Sequence, residues 1–181
     1  MSTRCPPRAF CPHQRKCISC ERWSCGECGI VCGDGEEVAA VVEASNAAAV
    51  FVDFDRTMCT TKTGSSPMQG RHSVDPELAG LAAAHPCVHV VTRNSHVDDI
   101  REFLTREGVP ASVGVHHVGK GKSKADVIRA LLREGVTASG GDGEPPGVAA
   151  VFVDDSIAEL LDDQVAAVPE LTRVLFSRVL A

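Results

Sequence analysis

AAAVFVDFDRT, residues 47–57, is a run of six apolar residues followed directly by two carboxylates, Asp53 and Asp55. A segment apolar at every position, and not at every second one, fits a strand buried on both faces, as in a parallel sheet covered by helices. The pattern returns as VAAVFV at 148–153, followed by Asp154-Asp155, and as VHVV at 88–91, followed by Thr92-Arg93-Asn94. Residues 113–118 and 172–176 are two further strand candidates. Between them, 97–107 and 124–134 carry helical spacing, with Ile100, Phe103 and Leu104 on one face and Val127, Ile128, Leu131 and Leu132 on another; 75–84 also reads as helical. Gly108 and Gly135 follow the two longer segments where left-handed C-terminal caps are expected. Strands alternating with helices predict an α/β fold, a Rossmann-like three-layer sandwich with a mainly parallel central sheet.

In such a sheet the site lies beyond the carboxyl ends of the strands, so the residues after each apolar run carry the chemistry. Asp53 and Asp55 from one strand and Asp154 and Asp155 from another would repel one another unless a cation sat among them. Ligands that are all oxygen favour Mg²⁺. Thr92 and a lysine from Gly119-Lys120-Gly121-Lys122-Ser123-Lys124 supply a hydroxyl and positive charge, which a transferring phosphoryl group requires. Gly114-x4-Gly119-Lys120 imitates a phosphate-binding loop, but Gly121 stands where a Ser or Thr would be needed, so no nucleotide role is expected of it. Asp98 and Asp99 read as first-turn helix acids. His116 and His117 are expected to divide between a buried and an exposed strand face.

A D-x-D-x-T after a hydrophobic strand, a strand ending in Thr, a lysine at a helix start and a strand ending in Asp-Asp, in that order, resemble the four motifs of the haloacid dehalogenase superfamily over residues 47–176. The resemblance implies that Asp53 is a nucleophile forming an aspartyl phosphate and that Asp55 is the general acid and base. It implies that Thr57 holds the loop and Thr92 bonds a phosphoryl oxygen. Asp154 would bind Mg²⁺ with Asp53 and the Asp55 carbonyl, and Asp155 would assist. Lys124, with Ser123 as its N-cap, is favoured over Lys122 and Lys120. Insertions after the first and second strands are short, so an uncapped, open site is expected, suited to a phosphoprotein, a nucleic-acid end or another bulky phosphomonoester. Lys62 and Arg71 lie on the short flap. The alternatives are a sugar or nucleotide phosphatase completed by oligomerisation, and a zinc-finger binding protein on a vestigial phosphatase scaffold.

The first 35 residues differ in kind. Cys5, Cys11, Cys17, Cys20, Cys25, Cys28 and Cys32 crowd a stretch with almost no aliphatic periodicity, which needs metal in place of a hydrophobic core. Cys17-x2-Cys20-x4-Cys25-x2-Cys28 is a strong zinc signal; with Cys5, Cys11, His13 and Cys32 there are ligands for one or two structural Zn²⁺ ions. The expected division is a cysteine-rich zinc-binding module over 1–35 and a phosphatase domain over 36–181, joined through Gly33-Asp34-Gly35. Five basic residues against two acidic ones up to Gly33, with Trp23, allow the module a nucleic-acid or protein partner. The net charge of −6 argues against a wholly basic nucleic-acid binder. No apolar run has the length of a secretory h-region or a membrane span, so no membrane association and an intracellular location, cytoplasmic or nuclear, are expected. Cys59 and Cys87 read as small buried hydrophobes.

Overall fold

The computed structural model describes residues 29–137 and 148–178. Each apolar run forms a strand: β2 (Ala49–Val52), β3 (Val88–Thr92), β4 (Gly114–His117), β5 (Ala150–Asp154) and β6 (Leu171–Phe176). Ahead of them stands β1 (Ile30–Gly33). The six strands form one sheet in the order β1-β6-β5-β2-β3-β4, and every pairing is parallel.

Side chains alternate across this sheet and are buried on both sides. Val50, Val52, Val90, Val151 and Val153 face one core with Phe103 and Leu78, while Ala49, Phe51, Val91, Ala150 and Phe152 face the other with Ile128 and Leu160. Phe51 and Phe152 are register partners on β2 and β5, so two fully buried rings sit side by side at the centre. Helices α1 (Gly35–Ser45), α2 (Pro76–Ala84) and α3 (Val97–Arg106) cover the first face. Helices α4 (Lys124–Thr137), α5 (Ile157–Leu160) and α6 (Asp163–Ala166) cover the second. The fold is thus an α/β sandwich of Rossmann-like layering.

Two expectations are corrected. The sheet begins at Ile30, upstream of the boundary expected at Gly33–Gly35. Asp34 is no linker residue but the N-cap of α1, accepting from the Glu37 N–H while the Glu37 carboxylate accepts from its own N–H, a reciprocal box that satisfies two terminal amides. Gly108 does adopt the left-handed conformation after α3 (φ 81°), but Gly135 lies inside α4, which runs on to Thr137. A capping glycine read from sequence depends on where packing ends, and here the helix continues past it. Cys5, Cys11, His13, Cys17, Cys20, Cys25, Cys28 and Trp23 lie outside the described residues, as does most of the 137–147 loop. Cys32 is half-buried on β1, packed against the second core. No helix among the described residues is long and apolar enough to cross a membrane.

Candidate active site

The chain runs β2, β3, β4 toward one edge, then α4 crosses over so that β5 pairs with β2 on its other side. The carboxyl ends of β2 and β5 therefore diverge at a topological switch point, where ligands bind in open parallel sheets. Asp53 follows β2 and Asp154 ends β5. Thr92 ends β3, and Lys124 opens α4.

Lys124 is the centre of the arrangement. Ser123 caps its helix: the Ser123 hydroxyl accepts from the Ala125 N–H at 3.1 Å, and Asp126 accepts from the Ser123 N–H at 3.2 Å. This cap fixes Lys124 at the first helical position, 2% exposed. Its Nζ donates to Asp53 Oδ1 and, at 2.7 Å, to Asp154 Oδ2, with the Phe152 ring 5.7 Å beneath. Lys120 and Lys122 are exposed, so of the three lysines it is Lys124 that enters the site.

One carboxylate oxygen from each of Asp53, Asp154 and Asp155 lies within 4.8 Å of the other two. One ammonium cannot neutralise three such groups. Burial pushes the Asp53 carboxyl up to about 8, with Asp154 and Asp155 adding to the rise against the opposing pull of Lys124. Burial also raises Asp154 and Asp155. For Lys124, burial works against the charged form, but Asp53 and Asp154 together outweigh it and hold the ammonium charged. A site with an excess of buried negative charge and an all-oxygen donor set fits a hard divalent cation.

The remaining residues hold this edge together. Arg56 takes a left-handed conformation (φ 63°), turning the chain sharply after Asp55. Thr57, fully buried, accepts from the Asp155 N–H at 3.0 Å through its hydroxyl and from Arg178 at 2.8 Å through its carbonyl, which ties the β2 loop to the β5 loop and the segment after β6. The Thr92 hydroxyl accepts from the Asn94 N–H at 3.0 Å and keeps its own proton for a further acceptor. The Asp55 carboxylate accepts from Asn94 Nδ2 and from the Gly64 N–H.

Several of these partners carried no role in the sequence. Asn94 was visible only as a residue after a strand. Asp99 reads as a helix acid but accepts from the Ser66 hydroxyl, which fastens the flap to α3. Arg93 forms a two-pronged pair with Glu159 (2.6 and 3.1 Å) and donates to the Lys122 carbonyl, bracing the loop ahead of Lys124. Lys62 and Arg71 are exposed on the flap. Capping by Ser123 and Asp126 was the one local signal that could single out a residue here, and it is the one that distinguishes Lys124.

Compared with protein-family models, with curated proteins and with solved structures, the chain matches none.

Proposed function

We propose that this chain is a magnesium-dependent phosphomonoester hydrolase of the haloacid dehalogenase type that works through a phosphorylated Asp53. The observation that carries the reading is the buried Asp53–Lys124–Asp154 bridge at the switch point, with Asp155 alongside. Asp53, Asp154 and Asp155 would hold Mg²⁺, which when bound neutralises charge on the phosphoryl oxygens.

Asp53 forms a bond to phosphorus as the bond from phosphorus to the leaving oxygen breaks. Asp55 in its acid form gives that oxygen a proton. Water then attacks phosphorus while the Asp55 carboxylate takes a proton from it, and the bond to Asp53 breaks. Inorganic phosphate leaves and both carboxyl groups are restored. Lys124 and the Thr92 hydroxyl would meet the other phosphoryl oxygens.

Among the described residues nothing encloses the substrate side. Between Asp55 and α2 there is only a flap, and after Thr92 a single helix follows; neither insertion forms a lid that would enclose a small metabolite. This favours a phosphate on a bulky partner, such as a phosphoprotein or a nucleic-acid end. The cysteines ahead of residue 29 are proposed to form a zinc-binding module that engages such a partner.

The test is hydrolysis of a small generic phosphomonoester with and without Mg²⁺, in the natural chain and in Asp53→Asn. The proposal expects turnover only with the metal and only in the natural chain; equal turnover by Asp53→Asn sinks it.

A further inference from the structure

The flap that follows Asp55 is closed at its base by a side chain from the segment after β6. Residues 58–74 leave the chain after Thr57 and return at Asp75, the N-cap of α2. The two ends of this flap are paired: the Asp75 N–H donates to the Met58 carbonyl at 2.9 Å, and Cys59 forms an antiparallel bridge with Val74. Arg178 reaches both ends at once. Its Nη2 donates to the Thr57 carbonyl at 2.8 Å, and its Nη1 lies 3.7 Å from Asp75 Oδ2. The Phe176 ring, 5.9 Å from the guanidinium carbon, lies under it.

These contacts are not those of an exposed ion pair. Thr57 and Asp75 are buried and Arg178 is half-buried, so a Thr57 carbonyl deprived of its donor is a buried acceptor left unmet. The fixed fork of a guanidinium suits two acceptors held on different segments, which a single ammonium does not match. What the arginine holds bears on the site. The Thr57 hydroxyl accepts from the Asp155 N–H at 3.0 Å, and Asp155 contributes an oxygen to the three-carboxylate cluster. On the flap, the Gly64 N–H donates to Asp55 Oδ2 at 2.9 Å. Gly64 holds φ at 76°, where side chains are strained, so it is the flap backbone that presents this donor to Asp55.

We propose that Arg178 is a positioning residue, a clasp that sets Thr57 and the flap base and through them orients Asp155 for a divalent cation and Asp55 for proton transfer. The cation and proton roles rest on the phosphatase reading; the clasp on the two loops does not. Arg178 itself touches neither phosphate nor cation. Its contact with Thr57 spans 121 residues, so no local pattern marks it.

The test begins without substrate, on the full chain labelled with ¹⁵N. In Arg178→Ala the amides of Gly64 and Asp155 should exchange with deuterium faster, while those of the central strands keep their protection. Mg²⁺ should bind this variant about 10-fold more weakly, the scale on which groups behind metal ligands act. Ile30→Ala, which lowers stability from the edge strand, should bind Mg²⁺ as the natural chain does. On a small phosphomonoester, kcat of Arg178→Ala should fall about 10²-fold with KM little changed, and Arg178→Lys should recover part of that loss. Unchanged exchange at Gly64 and Asp155 overturns the clasp whatever the turnover; should Arg178→Ala not fold, the same measurement on Arg178→Lys decides it. Natural Mg²⁺ affinity in a folded Arg178→Ala overturns its role at the cation site. Faster exchange at both amides in a chain whose natural form hydrolyses no phosphomonoester supports the clasp and overturns the phosphatase reading instead.

Discussion

Asn94 Nδ2 donates to both carboxylate oxygens of Asp55, at 3.1 and 3.2 Å, and to the Ser65 carbonyl at 2.8 Å. One amide therefore anchors both the group proposed to carry the proton and the flap beside it. Asn94→Ala should lower kcat on a small phosphomonoester about 10²-fold, the scale on which misplacement of a reacting group acts. KM should move far less, because Asn94 has no proposed contact with phosphate. A folded variant with unchanged kcat would remove Asn94 from this role.

Replacing Lys124 with Met leaves Asp53 and Asp154 buried without their shared cation, a loss of about 3–5 kcal/mol when such a pair is broken. Turnover should vanish and the melting temperature fall. Lys120→Ala and Lys122→Ala should leave both nearly unchanged, since those side chains are exposed. If Lys122→Ala is the damaging change, the lysine has been misassigned.

The raised Asp53 carboxyl makes stability depend on pH and metal together. Its folded value of about 8 lies above its ordinary value of 3.8, so folding takes up a proton. Stability from this group is fully present below 3.8 and is lost as pH rises through about 8. A cation bound by the ionised carboxylate replaces the proton, so stabilisation by Mg²⁺ should grow with pH across that window. Thermal melts at a series of pH values, with and without Mg²⁺, read this directly. A metal-induced shift independent of pH contradicts it.

The central strands were legible because burial on both faces leaves few polar positions in them: before their last residues β2, β3 and β5 are apolar except for His89, and the residues at their ends are Asp53, Thr92 and Asp154. Lys124 was legible through Ser123, whose cap is local. Strand β1 was not, because Ile30–Gly33 is four residues among cysteines and glycines and becomes a strand only by pairing with β6. Its neighbour α1 did carry a signal in Asp34-x-x-Glu37, overlooked because Gly33-Asp34-Gly35 reads as a turn. The contacts of Asn94 with Asp55 and of Ser66 with Asp99 span 39 and 33 residues and have no local trace.

The edge strand changes where the chain can be cut. Ile30 is 1% exposed and packs in the second core, so a chain beginning at Glu36 loses β1, the Asp34 cap and a core side chain. A chain beginning at Gly29 should fold and turn over a small phosphomonoester. The Glu36 start should melt lower, and Ile30→Ala alone should cost about 2–5 kcal/mol. Equal melting temperatures for the two starts would show that β1 contributes nothing to the sheet.

The most direct test of the central claim is to quench the Mg²⁺-loaded protein with acid during turnover and to map the covalent product by mass spectrometry. The account predicts one added phosphoryl group on Asp53, lost on treatment with hydroxylamine and absent in Asp53→Asn, while Asp55→Asn slows turnover by roughly 10²- to 10⁴-fold. Turnover with no phosphorylated Asp53, or with the phosphoryl group on another residue, would contradict it.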